Sequence, residues 1–196
     1  IDKNAFNGTP IKRIFIPDGV FEIKADCFNG MNNLNCISIS DGNKYYAILD
    51  GKIIIKKSNI KSIIYTNLIY SYHDVNEITI PSSIKKICKS AFLNCINLKI
   101  VKFPDDSRLQ NISKYAFSNS SIESIIIPMT VVEIDDYAFS KCIKLQKIEI
   151  EDFSDLEKIG NGAFNETNIT NILIPSHVNY IGDYAFNKCH QLKNIQ

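Results

Sequence analysis

The chain has 196 residues, of which 45% are hydrophobic and 22% charged, and its formal net charge is +1. That length fits one domain or an array of smaller units, and the composition supports a packed core. Near neutrality with no basic run excludes a dedicated nucleic-acid binder, which must neutralise phosphates, and no apolar run approaches the roughly 20 residues of a membrane span.

In chain order, the first feature is the pair Ala5-Phe6. It returns at Ala91-Phe92, Ala116-Phe117, Ala138-Phe139, Ala163-Phe164 and Ala185-Phe186, with Cys27-Phe28 as a variant. From Phe92 onward the Phe residues are 25, 22, 25 and 22 apart, and Phe6 to Phe28 is 22, so the unit is about 23 residues long with long and short forms alternating. Between the anchors lies a short β-branched stretch: "IKRIFIP" (11–17), "LNCISIS" (34–40), "VNEITIP" (75–81), "LKIVKFP" (98–104), "IESIIIP" (122–128), "LQKIEIE" (145–151) and "ITNILIP" (169–175), with "LKNIQ" (192–196) as a truncated copy after Phe186. Alternating Ile, Leu and Val predict a strand, and Pro17, Pro81 and Pro175 end it and turn the chain. A third element follows, as in "VFEI" (20–23), "SIKKI" (83–87), "VVEI" (131–134) and "VNYI" (178–181). No single unit can bury this apolar surface alone; stacked neighbours share a continuous core.

The rhythm breaks between Phe28 and Phe92, a gap of 64. Asp50-Gly51 between two apolar runs is a hairpin signal, because both residues tolerate the positive φ of a type I′ turn. Strands are expected near 45–49, 52–57 and 61–66 as a small meander, with "IKSIIYT" (60–66) also reading as a weak copy of the repeat strand. The unit at about 41–74 is either a longer coil within the stack or a binding protrusion.

The pattern L-x-x-I-x-I-P…V-x-x-I-x-x-x-A-F-x-x-C closely resembles the BspA-like (Treponema pallidum-type) leucine-rich repeats across nearly the whole chain. The resemblance implies a leucine-rich-repeat solenoid, mainly β, with short parallel strands on a concave face and turns and short helical or irregular segments on the convex face. Residues 1–196 are expected to form one such solenoid, part of a longer protein. By family likeness it would be a non-catalytic module of a microbial or protist surface adhesin, at the cell surface or secreted, recognising a host or matrix protein. The alternative is a cytoplasmic scaffold for protein–protein interaction. Neither reading calls for nucleic acid, a cofactor or insertion into a membrane.

The cysteines follow the repeat. Cys95, Cys142 and Cys189 each stand three residues after an anchor Phe, where Met31 stands in another unit. A slot shared by Cys and Met is an apolar one. The adjacent pair Cys189-His190 could be a nucleophile with its base, or half a metal site, but Ile96 and Ile143 take the His190 place in other units, so the pair is a core residue beside a variable one. Cys27 should be buried, Cys88 should lie on a bend and Cys36 should face outward. There is no C-x-x-C, no His pair with metal spacing and no glycine-rich phosphate loop. Asp105-Asp106 and Asp135-Asp136 read as turn residues. Five N-x-S/T sequons, at Asn7, Asn111, Asn119, Asn165 and Asn168, are weak evidence for a glycosylated ectodomain.

In each strand stretch the first, fourth and sixth residues should point inward, and the third and fifth outward. The outward set nominates a ligand-binding strip of Arg13, Phe15, Ile64, Glu77, Ile100, Lys102, Ile126, Lys147, Glu149, Asn171 and Leu173. Two readings of its apolar members stand: a partner-binding patch, or β-branched side chains packing laterally along the strands.

Overall fold

A computed structural model of the chain describes residues 1–31 and 33–196. Sixteen short strands are found among them: β1 Arg13–Ile16, β2 Cys36–Ile39, β3 Tyr46–Leu49, β4 Ile53–Lys57, β5 Tyr65–Ser71, β6 Glu77–Thr79, β7 Lys86–Ile87, β8 Ile100–Lys102, β9 Asn111–Ile112, β10 Ser124–Ile127, β11 Glu133–Ile134, β12 Lys147–Ile150, β13 Lys158–Ile159, β14 Asn171–Ile172, β15 Tyr180–Ile181 and β16 Asn194–Ile195. The chain winds as a β-solenoid. Each regular coil gives one strand to a first ladder and one to a second. The first ladder runs β6-β8-β10-β12, all parallel, with β1-β2 and β14-β16 as parallel pairs toward its two ends. The second runs β5-β7-β9-β11-β13-β15, also parallel.

Register aligns like residues in columns. Ile125 stands opposite Ile148, and Ile87, Ile112, Ile134, Ile159 and Ile181 line up along the second ladder. All of these but the outermost, Ile181, are buried, because every inner coil is covered on both sides. Phe92, Phe117, Phe139, Phe164 and Phe186 form one stack, with centroids 4.8, 5.2, 5.4 and 5.6 Å apart and planes within 7°.

The Ala-Phe arc contains no helix among the described residues; it is built of turns. The residue before each Ala-Phe or Cys-Phe pair, and the second residue after it, has positive φ: Tyr115 and Asn119 around Ala116-Phe117, Tyr137 and Lys141 around Ala138-Phe139, Gly162 and Glu166 around Ala163-Phe164. This alternation aims every second N–H at the next coil. Tyr115, Phe117 and Asn119 donate to the carbonyls of Asp136, Ala138 and Ser140 at 3.1, 2.8 and 2.9 Å. The arc thereby satisfies its backbone as a third inter-coil ladder. Close stacking also explains the glycine at 160, where a Cβ would lie 2.5 Å from the Asp136 amide nitrogen.

Between β2 and β6 the pattern changes. β3 and β4 pair antiparallel across Asp50-Gly51, whose φ values of 51° and 63° suit a type I′ turn. β4 and β5 are also antiparallel, and β5 joins the second ladder through Asn67 and Leu68 beside Lys86 and Ile87. The third strand is therefore 65–71, not 61–66. Ile60 and Ile63, which a repeat-strand reading of 60–66 turns inward, are exposed, Ile63 by 88%. β5 starts later because Leu68 must occupy the buried Ile column of the second ladder. Tyr70 stands against Phe28 at 4.8 Å, providing the aromatic contact that an anchor Phe makes elsewhere. Two tyrosine hydroxyls replace missing strand rungs. Tyr72 Oη accepts from the Ile37 N–H at 2.7 Å and donates to the Ile37 carbonyl at 3.0 Å, and Tyr46 Oη accepts from the Ile23 N–H at 2.8 Å.

Candidate functional site

The outward side of the first ladder brings together most of the nominated strip. Register places Glu77, Ile100, Ser124 and Lys147 in one column and Thr79, Lys102, Ile126 and Glu149 in the next. Asn171 and Leu173 hold the equivalent places one coil on. Their inward neighbours Ile78, Val101, Ile125, Ile148 and Ile172 are buried. Arg13 and Phe15 sit on β1, at the same strand positions but in a separate two-stranded sheet. Between that sheet and β6 lies a recess lined by Leu49, Asp50, Lys52 and Ile53 of the first hairpin together with Glu77, Ile78 and Thr79. Ile64 is not on this face: it precedes β5 in a turn where Ser62 Oγ accepts from its N–H and donates to its carbonyl. Its resemblance to a repeat-strand residue is local to the sequence.

Four of the five charges of the strip pair internally, Arg13 on β1 being the exception among the described residues. Lys102 pairs with Glu77 on the neighbouring strand, and Lys147 pairs with Glu149 on its own. What remains prominent is apolar: Phe15, Ile100, Ile126 and Leu173 are 63, 44, 52 and 58% exposed. They are interleaved with polar coils, since Glu149 separates Ile126 from Leu173. At one end β12 and β14 stand side by side without strand pairing, and a groove of about 530 Å³ opens there, lined by Lys147, Asn171 and Leu173 with Gln146, Thr170 and Asn194. Surface hydrophobes spaced among neutralised charges over a flat, rigid ladder suit a macromolecular surface better than a small molecule.

The thiol slot is structural. Cys142 and Cys189 each lie 3.0 Å from the carbonyl of the Phe one coil earlier, Phe117 and Phe164, and donate to it. Burial pushes the Cys95 thiol up to about 12 and the Cys142 thiol up to about 11, which keeps both protonated. Cys189 is half-buried. Cys27 is buried and Cys36 exposed, while Cys88 is half-buried after β7. Asp136 takes part in a rung between coils: its Oδ1 accepts from the Asn161 N–H at 2.9 Å, and Asn161 Oδ1 accepts from the Asp183 N–H at 2.8 Å. Among the described residues no three His, Cys, Asp or Glu side chains gather as metal ligands would, and no helix is long and apolar enough to cross a membrane.

The repeat geometry agrees with a known family. The family model for the BspA type leucine-rich repeat region matches residues 1–67 and 62–193, in six copies. The chain belongs to this family. Among solved structures, a leucine-rich cell surface protein from Faecalibacterium prausnitzii superimposes with a TM-score of 0.81 at 28% identity, over 98% of this chain and 49% of that one. The pneumococcal vaccine antigen PcpA matches with a TM-score of 0.56 at 26% identity, over 99% of this chain and 40% of that one. The leucine-rich repeat protein of Treponema pallidum shares the fold, with a TM-score of 0.59 at 23% identity over 80% of this chain and 70% of that one. This BspA-type chain thus spans about half the length of the Faecalibacterium protein. No curated protein matches its sequence.

The second ladder was not nominated from the sequence. Its outward side carries Lys86, Asn111, Glu133, Lys158 and Tyr180, and a groove beside it is lined by four lysines. The signal was present in the third repeat element: "IKKICKS" (84–90) and "NISKYAF" (111–117) place Lys89 and Lys114 at one repeat position.

Proposed function

We propose that this chain is a non-catalytic protein-binding module of a cell-surface or secreted adhesin, and that it recognises a host or matrix protein through the outward strip of the first ladder. The observation that carries the reading is the exposure of Ile100, Ile126 and Leu173 on a rigid ladder whose flanking charges neutralise one another. Such a face can be desolvated without stranding an unpaired charge. The likeness to a protein described as a leucine-rich cell surface protein supports the location. The test is binding to a panel of purified extracellular-matrix proteins. Ile126→Asp with Leu173→Asp should weaken capture by more than about 2 kcal/mol, the scale of an interface hot spot, and leave the melting temperature unchanged. Ile127→Asp, on a fully buried neighbour, should instead unfold its coil. Normal binding by the outward double variant would refute the strip as the recognition face.

A further inference from the structure

The groove beside the second ladder has a composition that the protein-binding strip does not use. It encloses about 560 Å³ between β4, β5 and β7 and the bends after β9 and β11, and Lys56, Lys86, Lys89 and Lys114 all line it. Lys56 stands opposite Asn67, and Asn67 opposite Lys86, so one neutral strand separates two lysines that form no ion pair among the described residues. Lys89 and Lys114 occupy equivalent bends of adjacent coils, bound to Asp26 at 2.6 Å and Asp136 at 3.1 Å. With Asp135 also in the lining, four ammonium groups face three carboxylates, a net charge of 4 − 3 = +1.

A second observation is independent of charge. Ser113, in the same lining, is 7% exposed, and its hydroxyl oxygen is fully buried with no hydrogen-bond partner. A buried hydroxyl without a partner is costly, and it forfeits no hydrogen bond by turning about χ1 into the groove, where it can find one. A third concerns the rim. Lys114 Nζ lies 5.5 and 5.6 Å from the rings of Tyr115 and Tyr137, which stack at 5.3 Å, so a pair of aromatic ring edges adjoins the lysines.

We infer that this groove is a binding site for the sulfate ester of a sulfated polysaccharide. Lys56 and Lys86 supply the charge, the Ser113 hydroxyl turns into the groove and donates a hydrogen bond to an ester oxygen, and the Tyr115–Tyr137 ring edges border the adjoining sugar ring. A sulfate ester carries one negative charge, which the net +1 of the groove balances. A phosphate monoester carries about −1.5 to −2 and would leave charge uncompensated against Asp135.

The experiment is calorimetric titration of the full chain with a heparin oligosaccharide at physiological salt. De-N-sulfated and de-O-sulfated heparin and inorganic phosphate serve as separate arms. Lys56→Gln with Lys86→Gln should lower affinity at least tenfold with the melting temperature unchanged. Ser113→Ala should lower it several-fold, and Lys102→Gln on the first ladder should have no effect. De-O-sulfated heparin, which lacks the sulfate esters, should not bind, and de-N-sulfated heparin, which keeps them, should bind. The assignment is overturned if heparin fails to bind, if the double lysine variant binds as the parent does, or if de-O-sulfated chains bind equally well. Displacement of heparin by inorganic phosphate at micromolar concentration would transfer the site to a phosphate ligand and overturn it too.

Discussion

Removing one ring from the middle of the phenylalanine stack should destabilise the array far more than removing an anchor ring outside it. Phe139 is fully buried, with Phe117 and Phe164 parallel on either side at 5.2 and 5.4 Å. Phe139→Ala withdraws an apolar side chain worth about 2 kcal/mol of burial. It also leaves a void of roughly 100 Å³, which at about 24 cal/mol per Å³ adds about 2.4 kcal/mol. The sum, about 4–5 kcal/mol, lies at the upper end of measured Phe→Ala costs and is comparable to the whole stability of a marginal domain. Phe6 is half-buried and stacks on one ring only, Phe28 at 6.4 Å, so Phe6→Ala should cost about 1–2 kcal/mol. Urea unfolding followed by far-ultraviolet circular dichroism gives both values, the chain having no Trp to report by fluorescence. Hydrogen exchange should show the amides of residues 117 and 139, which bond to the Ala138 and Ala163 carbonyls, losing protection first, since coupling in a solenoid is between neighbours. A loss below about 1.5 kcal/mol for Phe139→Ala, or equal losses for the two variants, would refute the shared-core account.

Two further outcomes follow from the thiols and from Asp26. Under native conditions at pH 8, mass spectrometry after alkylation should find Cys36 modified first, with Cys95 and Cys142 protected until the coils unfold; equal rates at Cys36 and Cys142 would contradict the buried, donating thiols. Asp26, with its side chain 7% exposed, would be raised by burial, but hydrogen bonds with Lys89 and Ser90 and the Lys89 charge outweigh this and hold it below the ordinary 3.8. A carboxyl lowered in the folded state stabilises the fold above its unfolded value, and that stability is lost as pH falls through the lower folded value. The urea midpoint should therefore drop as pH falls below the ordinary 3.8, and Asp26→Asn should flatten that part of the profile; an unchanged slope would show that the Lys89 pair contributes nothing.

Repetition made much of this legible from sequence. Cys142 could be placed because Cys95, Cys189 and Met31 share its slot, and the inward and outward residues of 122–128 could be read because a strand has a period of two. The bonds that fill those slots were not legible: nothing in the letters shows a thiol donating to the carbonyl of the preceding Phe. The left-handed conformations of Tyr115, Tyr137 and Tyr184 run against residue propensity, which reserves positive φ for Gly and Asn. They are imposed by the demand that each arc point its amides at the next coil. The segment 60–66 misled because Ile60, Ile63 and Ile64 imitate the spacing of a repeat strand. Pairing in the second ladder is instead decided by the buried alternation Leu68, Tyr70, Tyr72 just beyond it. The lysine groove depends on β4 arriving beside β5, a juxtaposition the repeat itself does not encode.

The hydroxyl of Tyr72 gives the structure a mechanical seam. Along β6, β8, β10 and β12, neighbouring coils are tied by peptide groups that must be sheared together. At Ile37, two hydrogen bonds to a single side chain span the gap. A pull applied end to end would concentrate at this junction, which is held by side chains: Tyr72, Tyr46 on Ile23, and the Lys89–Asp26 pair. The first force-extension event should therefore release the segment before β3 while the long phenylalanine stack stays wound. The chain would then lengthen in two stages, with its regular coils held in reserve.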